Sequence, residues 1–196
     1  MVEDKANMSS DPKILIKLAG LYLDAGNEVL TDKGERLGAY EEGARVAKKA
    51  LELEETNADA HFLYAANLGE AADLKGVAAS FFGLDEMKGH VARAVQLDKD
   101  HAPALHMGAM ILAELPRFMG GSPEVALTYM KRAVTSDPTY THARLDLAKM
   151  YLKRGEQQLA RDELLAIIGM ENPRHPSAWS KRHRPEAEQL LRSIKH

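Results

Sequence analysis

One pattern recurs three times along this chain: KKALELE at 48–54, ARAVQLD at 92–98 and KRAVTSDP at 131–138. Each copy places one alanine near the end of a helical stretch: Ala50, Ala94 and Ala133. A fourth, less regular copy runs from Ala160 to Ile167 in LARDELLAIIGMENP. An internal repeat of this kind predicts a solenoid of stacked helix pairs. Such arrays present a binding surface rather than an active site.

The composition is that of a soluble globular protein and disfavours several classes of function. The 196 residues are 45% hydrophobic and 28% charged, enough to bury a core in one domain or short solenoid. A formal net charge of −3 argues against general nucleic-acid binding, which needs a basic surface. The absence of cysteine excludes disulfides, thiolate catalysis and cysteine-bound zinc.

Charge is uneven, because residues 172–196 carry six Lys or Arg against two Glu. This basic stretch is interpreted as solvated helix-end charge, with contact to an acidic partner as the alternative.

No stretch approaches the ~20 apolar residues of a membrane span. The first residues, MVEDKANMSSDP, lack the apolar core of a signal peptide, so the sequence as written predicts a cytoplasmic protein. A periplasmic location is the alternative if a signal or lipoprotein anchor was removed.

Almost the whole chain has helical periodicity, and its start signals are Asp11-Pro12, Ser122-Pro123 and Arg184-Pro185-Glu186. The last clear unit fits a frame of about 34 residues that resembles the tetratricopeptide repeat (TPR). Its matching residues are Leu147, Ala148, Tyr151, Gly155, Ala160 and Leu164. The predicted fold is therefore all-α, a TPR-like α-α superhelix of about four helix pairs with lengthened A–B turns and a C-terminal capping helix. Here A and B denote the first and second helix of a pair.

The predicted domain boundaries follow from this frame. Residues 1–11 are expected to be a flexible N-terminus and residues 12–172 the repeat domain. A basic linker and capping helix are expected over 174–196, with Trp179 packed under the cap. The helix pairs are expected at about 12–56, 58–100, 102–138 and 140–173.

The first three units contain extra residues, all between helix A and helix B: around Leu30–Leu37, Lys75–Leu84 and Pro116–Gly121. Equivalent turns of a solenoid lie along one edge, so these insertions are expected side by side. Their apolar residues form a candidate binding surface, called the insertion rim: Phe81, Phe82, Phe118 and Met119. The alternative is that these residues fold back and lengthen the helix-pair core.

The inner groove of such an array is lined mainly by the A helices. The predicted groove residues for a partner or ligand are Lys17, Phe62, Ala66, Glu70, His106, Ala109, Glu114, Asp146 and Lys149. Gly20, Ala66 and Ala109 occupy positions where arrays that bind a C-terminal carboxylate carry Asn or Lys, which disfavours that mode of recognition. The lining better suits an apolar peptide segment or a small ligand.

No catalytic motif is present: the sequence has no GxSxG, HExxH, phosphate loop or dinucleotide fingerprint. Its eight histidines are scattered, and His101 and His106, five apart, do not share a helical face. The sequence therefore predicts a non-enzymatic protein with no catalytic residues, no metal site and no cofactor.

Two segments carry a narrower resemblance: KKALELEETNADAHFLYAANLGEAADLKG at 48–76 and ALHMGAMILAELPRFMGGSPEVALTYMKRAV at 104–134. They are similar to the T-component proteins of TRAP transporters and to the related regulators of microtubule dynamics. The resemblance implies an all-helical, non-enzymatic protein that binds partners. In the transporter branch it implies association with a periplasmic solute-binding protein, oligomerisation and a ligand-accessible channel.

Two functional hypotheses follow. The first is a scaffold or adaptor that binds a protein or an apolar peptide segment in its helical groove, with homo-oligomerisation possible and neither nucleic acid nor a membrane span involved. The alternative is an accessory, T-component-like protein of a TRAP-type solute transporter, with a pocket for a small ligand and a solute-binding protein as its partner.

Overall fold

The computed structural model describes residues 11–194, apart from the side chains of Val77, Ser80 and Phe81. Most of the described residues are helical, and none of them is in a β-strand. Their α-helices are α1 (Pro12–Asp24), α2 (Lys33–Leu53), α3 (Ala58–Lys75), α4 (Val77–Leu97), α5 (Ala102–Glu114), α6 (Pro123–Ser136), α7 (Thr141–Lys153), α8 (Gln157–Ile168), α9 (Pro176–Ala178) and α10 (Arg184–Ser193). Short π-helical segments follow α1 at Ala25–Val29 and precede α10 at Trp179–His183. The predicted all-α, TPR-like fold class is confirmed. The expected flexible N-terminus lies outside the described residues, except for Asp11.

Polar side chains fix the starts of several helices. The carboxylates of Asp11 and Asp32 accept hydrogen bonds from the backbone N–H groups of Lys13 and Glu35, at 2.9 and 3.0 Å. Asn57 does the same for α3, and the Ser122 hydroxyl for α6. These caps satisfy N–H groups that have no partner within their own helix. The start signals at Asp11-Pro12 and Ser122-Pro123 therefore function as predicted.

The chain divides into two compact units, Met1–Ala104 and Leu105–His196. In the first unit, α1 packs against α2 and α3, and α3 packs against α4. The core shared by α1, α2 and α3 consists of small and aliphatic side chains with one tyrosine: Leu15, Ala19, Val46, Ala47, Ala50, Ala60 and Tyr64. The alanines let the helix axes approach closely, as the repeat pattern predicts.

In the second unit, α6 packs on α7, α7 on α8, and α10 on α8. The repeat alanines Ala133 and Ala160 are fully buried, together with Leu164 and Ile167. The Trp179 indole N–H donates a hydrogen bond of 2.8 Å to the Ile167 carbonyl at the end of α8. The C-terminal segment therefore covers α8, which is the role predicted for a capping helix.

The inserted residues do not all form turns. Within Leu30–Leu37, helix α2 already begins at Lys33, and within Lys75–Leu84 only Gly76 separates α3 from α4. Both α2 and α4 have 21 residues, so these two insertions mainly lengthen the second helix of the pair. The third insertion forms an irregular turn, with a short 3-10 helix at Arg117–Met119. The first two insertions therefore lengthen a helix instead of forming a long turn.

Candidate functional site

The predicted groove residues of the first unit lie on two neighbouring helices. Lys17 is exposed on α1, while Phe62 and Glu70 are half-buried on α3. Ala66, also on α3, is almost completely buried. The Phe62 ring contacts the His101 ring, with centroids 5.3 Å apart. On α3, the buried Ala66 therefore lies between the accessible side chains of Phe62 and Glu70.

In the second unit, three of the predicted residues come into contact. His106 on α5 and Lys149 on α7 both contact Asp146 on α7. Ala109 is fully buried, and Glu114 is exposed at the end of α5. Ala109 therefore serves the packing of this unit, whereas His106, Asp146 and Lys149 belong to a polar cluster.

The centre of this cluster is a hydrogen-bonded chain of three side chains. His106 Nε2 lies 2.9 Å from Asp146 Oδ2, and His106 Nδ1 lies 3.0 Å from the Tyr140 hydroxyl. In the neutral imidazole, Nε2–H donates to the carboxylate and Nδ1 accepts from the tyrosine. All three residues are buried, so these contacts satisfy polar groups that have little access to water.

His142 adds a second imidazole to the cluster. Its Nε2 lies 3.5 Å from Asp146 Oδ2, and 52% of its side chain is exposed. The two residues are four apart on α7, which places them on one face of the helix. His106, His142 and Asp146 each offer one ligand atom, and these three atoms all lie within 4.8 Å of one another.

The electrostatics of the cluster favour a carboxylate anion and a neutral imidazole. Burial opposes ionisation of Asp146, but the hydrogen bond from His106 and the nearby His142 and Lys149 lower its pKa to about 2. Partial removal from water, and then the charge of His106, lower the pKa of His142 well below its usual value. Near neutral pH, Asp146 is therefore ionised and His142 is uncharged.

Further side chains hold the cluster in place. Lys149 Nζ lies 3.3 Å from Asp146 Oδ1 and 2.8 Å from Glu186 Oε1 on α10. The His183 ring stacks on His142 with centroids 5.1 Å apart, and its Nδ1 is 2.8 Å from the Thr141 hydroxyl. Burial and the adjacent Arg182 lower the pKa of His183 to about 4. The capping segment thus contributes directly to the polar cluster.

This convergence corrects the prediction that the histidines are scattered. His106, His142 and His183 are 36 and 41 residues apart in sequence, yet the ring centroids of consecutive members are 4.7 and 5.1 Å apart. Stacking of helices from successive repeats produces this proximity, which linear spacing does not show. The one local signal was the pair His142 and Asp146, four residues apart on one helix.

A second histidine pair lies in the first unit. His61 Nδ1 and His90 Nδ1 are 2.8 Å apart, and the Tyr64 hydroxyl donates to Glu86 at 2.7 Å. Burial and then His61 lower the pKa of His90. A shallow cavity of about 300 Å³ is lined by His61, Asp85, Glu86, Gly89 and His90. Its members come from two helices, so no local pattern in the sequence indicates this group.

The described part of the insertion rim is largely accessible. Phe82 on α4 is 85% exposed, Phe118 in the third insertion is 89% exposed, and Met119 is half-buried. Phe81 lies outside the described side chains. Phe82 and Phe118 therefore lie at the surfaces of their own units and add little to the two cores.

Replacing Phe118 with serine is expected to change the free energy of unfolding by no more than about 0.5 kcal/mol, because little of its surface is buried. The matched variant Phe62→Ser removes a half-buried ring that contacts His101, and is expected to cost more than about 1 kcal/mol. Chemical denaturation followed by circular dichroism compares the two. A Phe118→Ser variant as unstable as Phe62→Ser would contradict the surface position.

This chain matches one known protein family over much of its length. The family model "Regulator of microtubule dynamics protein 1-3" matches residues 1–110 of this chain. The chain belongs to this family. The regulator of microtubule dynamics protein 1 of Bos taurus is 30% identical over 95% of the chain, and that of Homo sapiens is 29% identical over 91%. The chain spans 63% of the bovine protein and 61% of the human one.

Solved structures support the fold of this regulator-family chain. A thermophilic TPR protein of Thermus thermophilus, TTC0263, matches with a TM-score of 0.62 at 14% identity, over 94% of this chain and 81% of that protein. YrrB, described as a TPR protein with an unusual peptide-binding site, matches with a TM-score of 0.50 at 17% identity, over 95% and 88% of the two chains. At these identities the likeness concerns the fold alone.

The sequence resembles both the T components of TRAP transporters and the regulators of microtubule dynamics, and the comparisons support the second group. The transporter alternative, its solute-binding partner and oligomerisation gain no support from them. In the regulator-family chain, none of the helices over residues 11–194 combines the length and apolar character that a membrane span requires.

Proposed function

We propose that this chain is a non-enzymatic interaction module that binds a protein segment of tubulin through its A helices. The observation that carries this proposal is the TPR-like fold in a member of the regulator of microtubule dynamics family. Stacked helix pairs suit the recognition of extended or helical segments, since they offer a long and repetitive surface. Because the matched relatives are longer than this chain, the microtubule partner belongs to the proposal.

The exposed face of α1 supports an apolar segment as the ligand. Ile14 and Leu21 remain 53% and 56% exposed, and Lys17 lies between them on the same face. The spacing of three and four residues aligns these side chains along one side of the helix, away from buried Leu15 and Ala19. A cation flanked by apolar side chains complements a segment in which an acidic residue lies among apolar ones.

The neighbouring helix α3 lies beside α1 within the first unit. A side chain placed on Gly20 would contact Leu63 at 3.8 Å, so α1 and α3 are close at this point. Phe62 and Glu70 on α3 retain partial exposure. We therefore assign partner binding in this unit to α1 and α3, with Lys17, Phe62 and Glu70 as the polar and aromatic contacts.

Replacing Lys17 with glutamate is expected to weaken binding to polymerised tubulin at least about tenfold, since it reverses the charge facing an acidic partner. The matched control is Lys33→Glu, a charge reversal at another exposed lysine, on α2, which is expected to bind like the wild type. Co-sedimentation of the purified chain with stabilised microtubules measures both affinities at fixed ionic strength.

Two results would contradict the proposal. If the wild-type chain does not pellet with microtubules and does not bind soluble tubulin, the partner is wrong. If Lys17→Glu and Lys33→Glu weaken binding equally, the interaction is general electrostatic attraction and does not involve the A-helix face.

A further inference from the structure

We infer that His106, His142 and Asp146 form a binding site for a divalent transition-metal ion, with zinc as the best-suited ion. This inference is independent of the proposed partner. Two imidazole nitrogens and one carboxylate oxygen are typical zinc ligands and leave a fourth position for water or an incoming donor. The three ligand atoms already lie within 4.8 Å of one another.

The distances fit a tetrahedral ion. Ligand atoms bound at about 2.0–2.1 Å and at tetrahedral angles are about 3.3 Å apart. In the structure, His106 Nε2 and His142 Nε2 lie 2.9 and 3.5 Å from Asp146 Oδ2. Both separations are close to this value, so the three groups already lie near the positions that binding requires.

The groups around the ligands have the arrangement that metal sites use to orient imidazoles and carboxylates. His106 Nδ1 lies 3.0 Å from the Tyr140 hydroxyl, whose oxygen can accept a hydrogen bond from Nδ1–H when Nε2 binds the ion. Lys149 contacts the other carboxylate oxygen of Asp146, and His183 stacks on His142. Each of the three ligands thus has a neighbour that restricts its orientation.

The chemistry of the ligands and the charge around them also suit a bound cation. A carboxylate and two imidazoles are ligands that bind a divalent ion by their unprotonated atoms. Lys149 contacts both Asp146 and Glu186. Together, this one cation and these two carboxylates carry a net charge of −1. Half of the His142 side chain is accessible, so the site lies open to ions from solvent.

The remaining histidine pair serves as an internal comparison. His61 and His90 are hydrogen-bonded directly through their Nδ1 atoms, and His61 Nε2 faces the Glu55 carbonyl at 2.8 Å. No third ligand atom completes that pair in the part of the chain that the structure describes. Binding of zinc is therefore assigned to the second unit only.

The test is titration of the tag-free full chain with zinc chloride by calorimetry, after removal of metals with a chelator. One zinc per chain with a Kd of about 1 µM or tighter is expected. His142→Ala removes an accessible ligand and is expected to weaken binding at least about 100-fold, more than the loss of an orienting neighbour does. Asp146→Asn, which preserves side-chain shape, is expected to weaken binding in the same direction.

His175→Ala is the matched control, since His175 lies in the same unit with its ring 6.2 Å from that of Tyr140 but supplies no ligand. Its zinc affinity is expected to match the wild type within about twofold. Zinc is also expected to raise the melting temperature of the wild type and of His175→Ala, but not of His142→Ala. Binding only in the millimolar range, or equal affinity of His142→Ala and the wild type, would overturn the assignment.

Discussion

The Ala133→Trp variant is expected to lose about 3 kcal/mol of unfolding free energy, because there is no room for an indole at this position. Ala133 is fully buried on α6, one turn after the fully buried Met130. Helix α6 packs against α7, whose Leu147 and Ala148 are also buried. A tryptophan there must either separate the two helices or force neighbouring side chains out of their preferred rotamers.

Thr135→Trp provides the control on the same helix. Thr135 is exposed, so the larger side chain extends into solvent and is expected to change stability by no more than about 0.5 kcal/mol. Urea denaturation followed by circular dichroism measures both variants. If Ala133→Trp unfolds at the urea concentration of the wild type, the repeat register that places Ala50, Ala94 and Ala133 at equivalent positions is wrong.

Gly43→Ala is expected to lower the free energy of unfolding by about 2–3 kcal/mol, although alanine favours helix formation. A Cβ atom on Gly43 would lie 2.2 Å from Asn67 Oδ1 and 2.6 Å from its Cγ. Asn67 is fully buried on α3, and its amide donates to the carbonyls of Ala19 on α1 and Leu63 on α3. The added methyl group therefore displaces either helix α2 or a side chain that joins α1 to α3.

Gly38→Ala is the matched control, because Gly38 lies on the same helix and a Cβ there meets no atom within 4 Å. That variant is expected to gain about 0.5–1 kcal/mol from the helix propensity of alanine. Thermal and urea denaturation of both variants are compared with the wild type. Stabilisation by Gly43→Ala equal to that by Gly38→Ala would show that Asn67 does not occupy this contact.

A double-mutant cycle separates the steric effect from other causes. Asn67→Ala removes the side chain that the new methyl group meets, so Gly43→Ala is expected to cost much less in that background. A coupling free energy of at least about 1 kcal/mol between the two positions is expected. Additive effects would mean that the instability of Gly43→Ala has a different origin.

Much of the fold follows from local patterns in the sequence. Small residues at repeat positions, such as Gly43, Ala133 and Ala160, mark where helices approach, and all three are buried in the structure. Asp11 and Ser122, each before a proline, mark helix starts. These signals act within a few residues of the chain, so they can be recognised without tertiary information.

Local sequence patterns did not predict the conformation of the inserted residues. The frame located the extra residues between helices A and B, but Lys33–Leu37 and Val77–Leu84 are helical. Loop and helix are close in energy for such segments, and Gly83 alone does not prevent a helix whose other residues tolerate it. The tertiary structure decided that these residues lengthen α2 and α4.

The polar clusters depended on tertiary structure almost completely. The repeat positions predicted His106, Asp146 and Lys149 as groove residues. They did not predict the contacts among these residues or the contribution of His142. The sequence by itself determined helical repeats, their close-packing positions and the absence of cysteine chemistry, because periodicity and residue size act locally. The packing of helices distant in sequence decided which side chains meet, because residues 36 to 41 apart become neighbours only when the helix pairs stack.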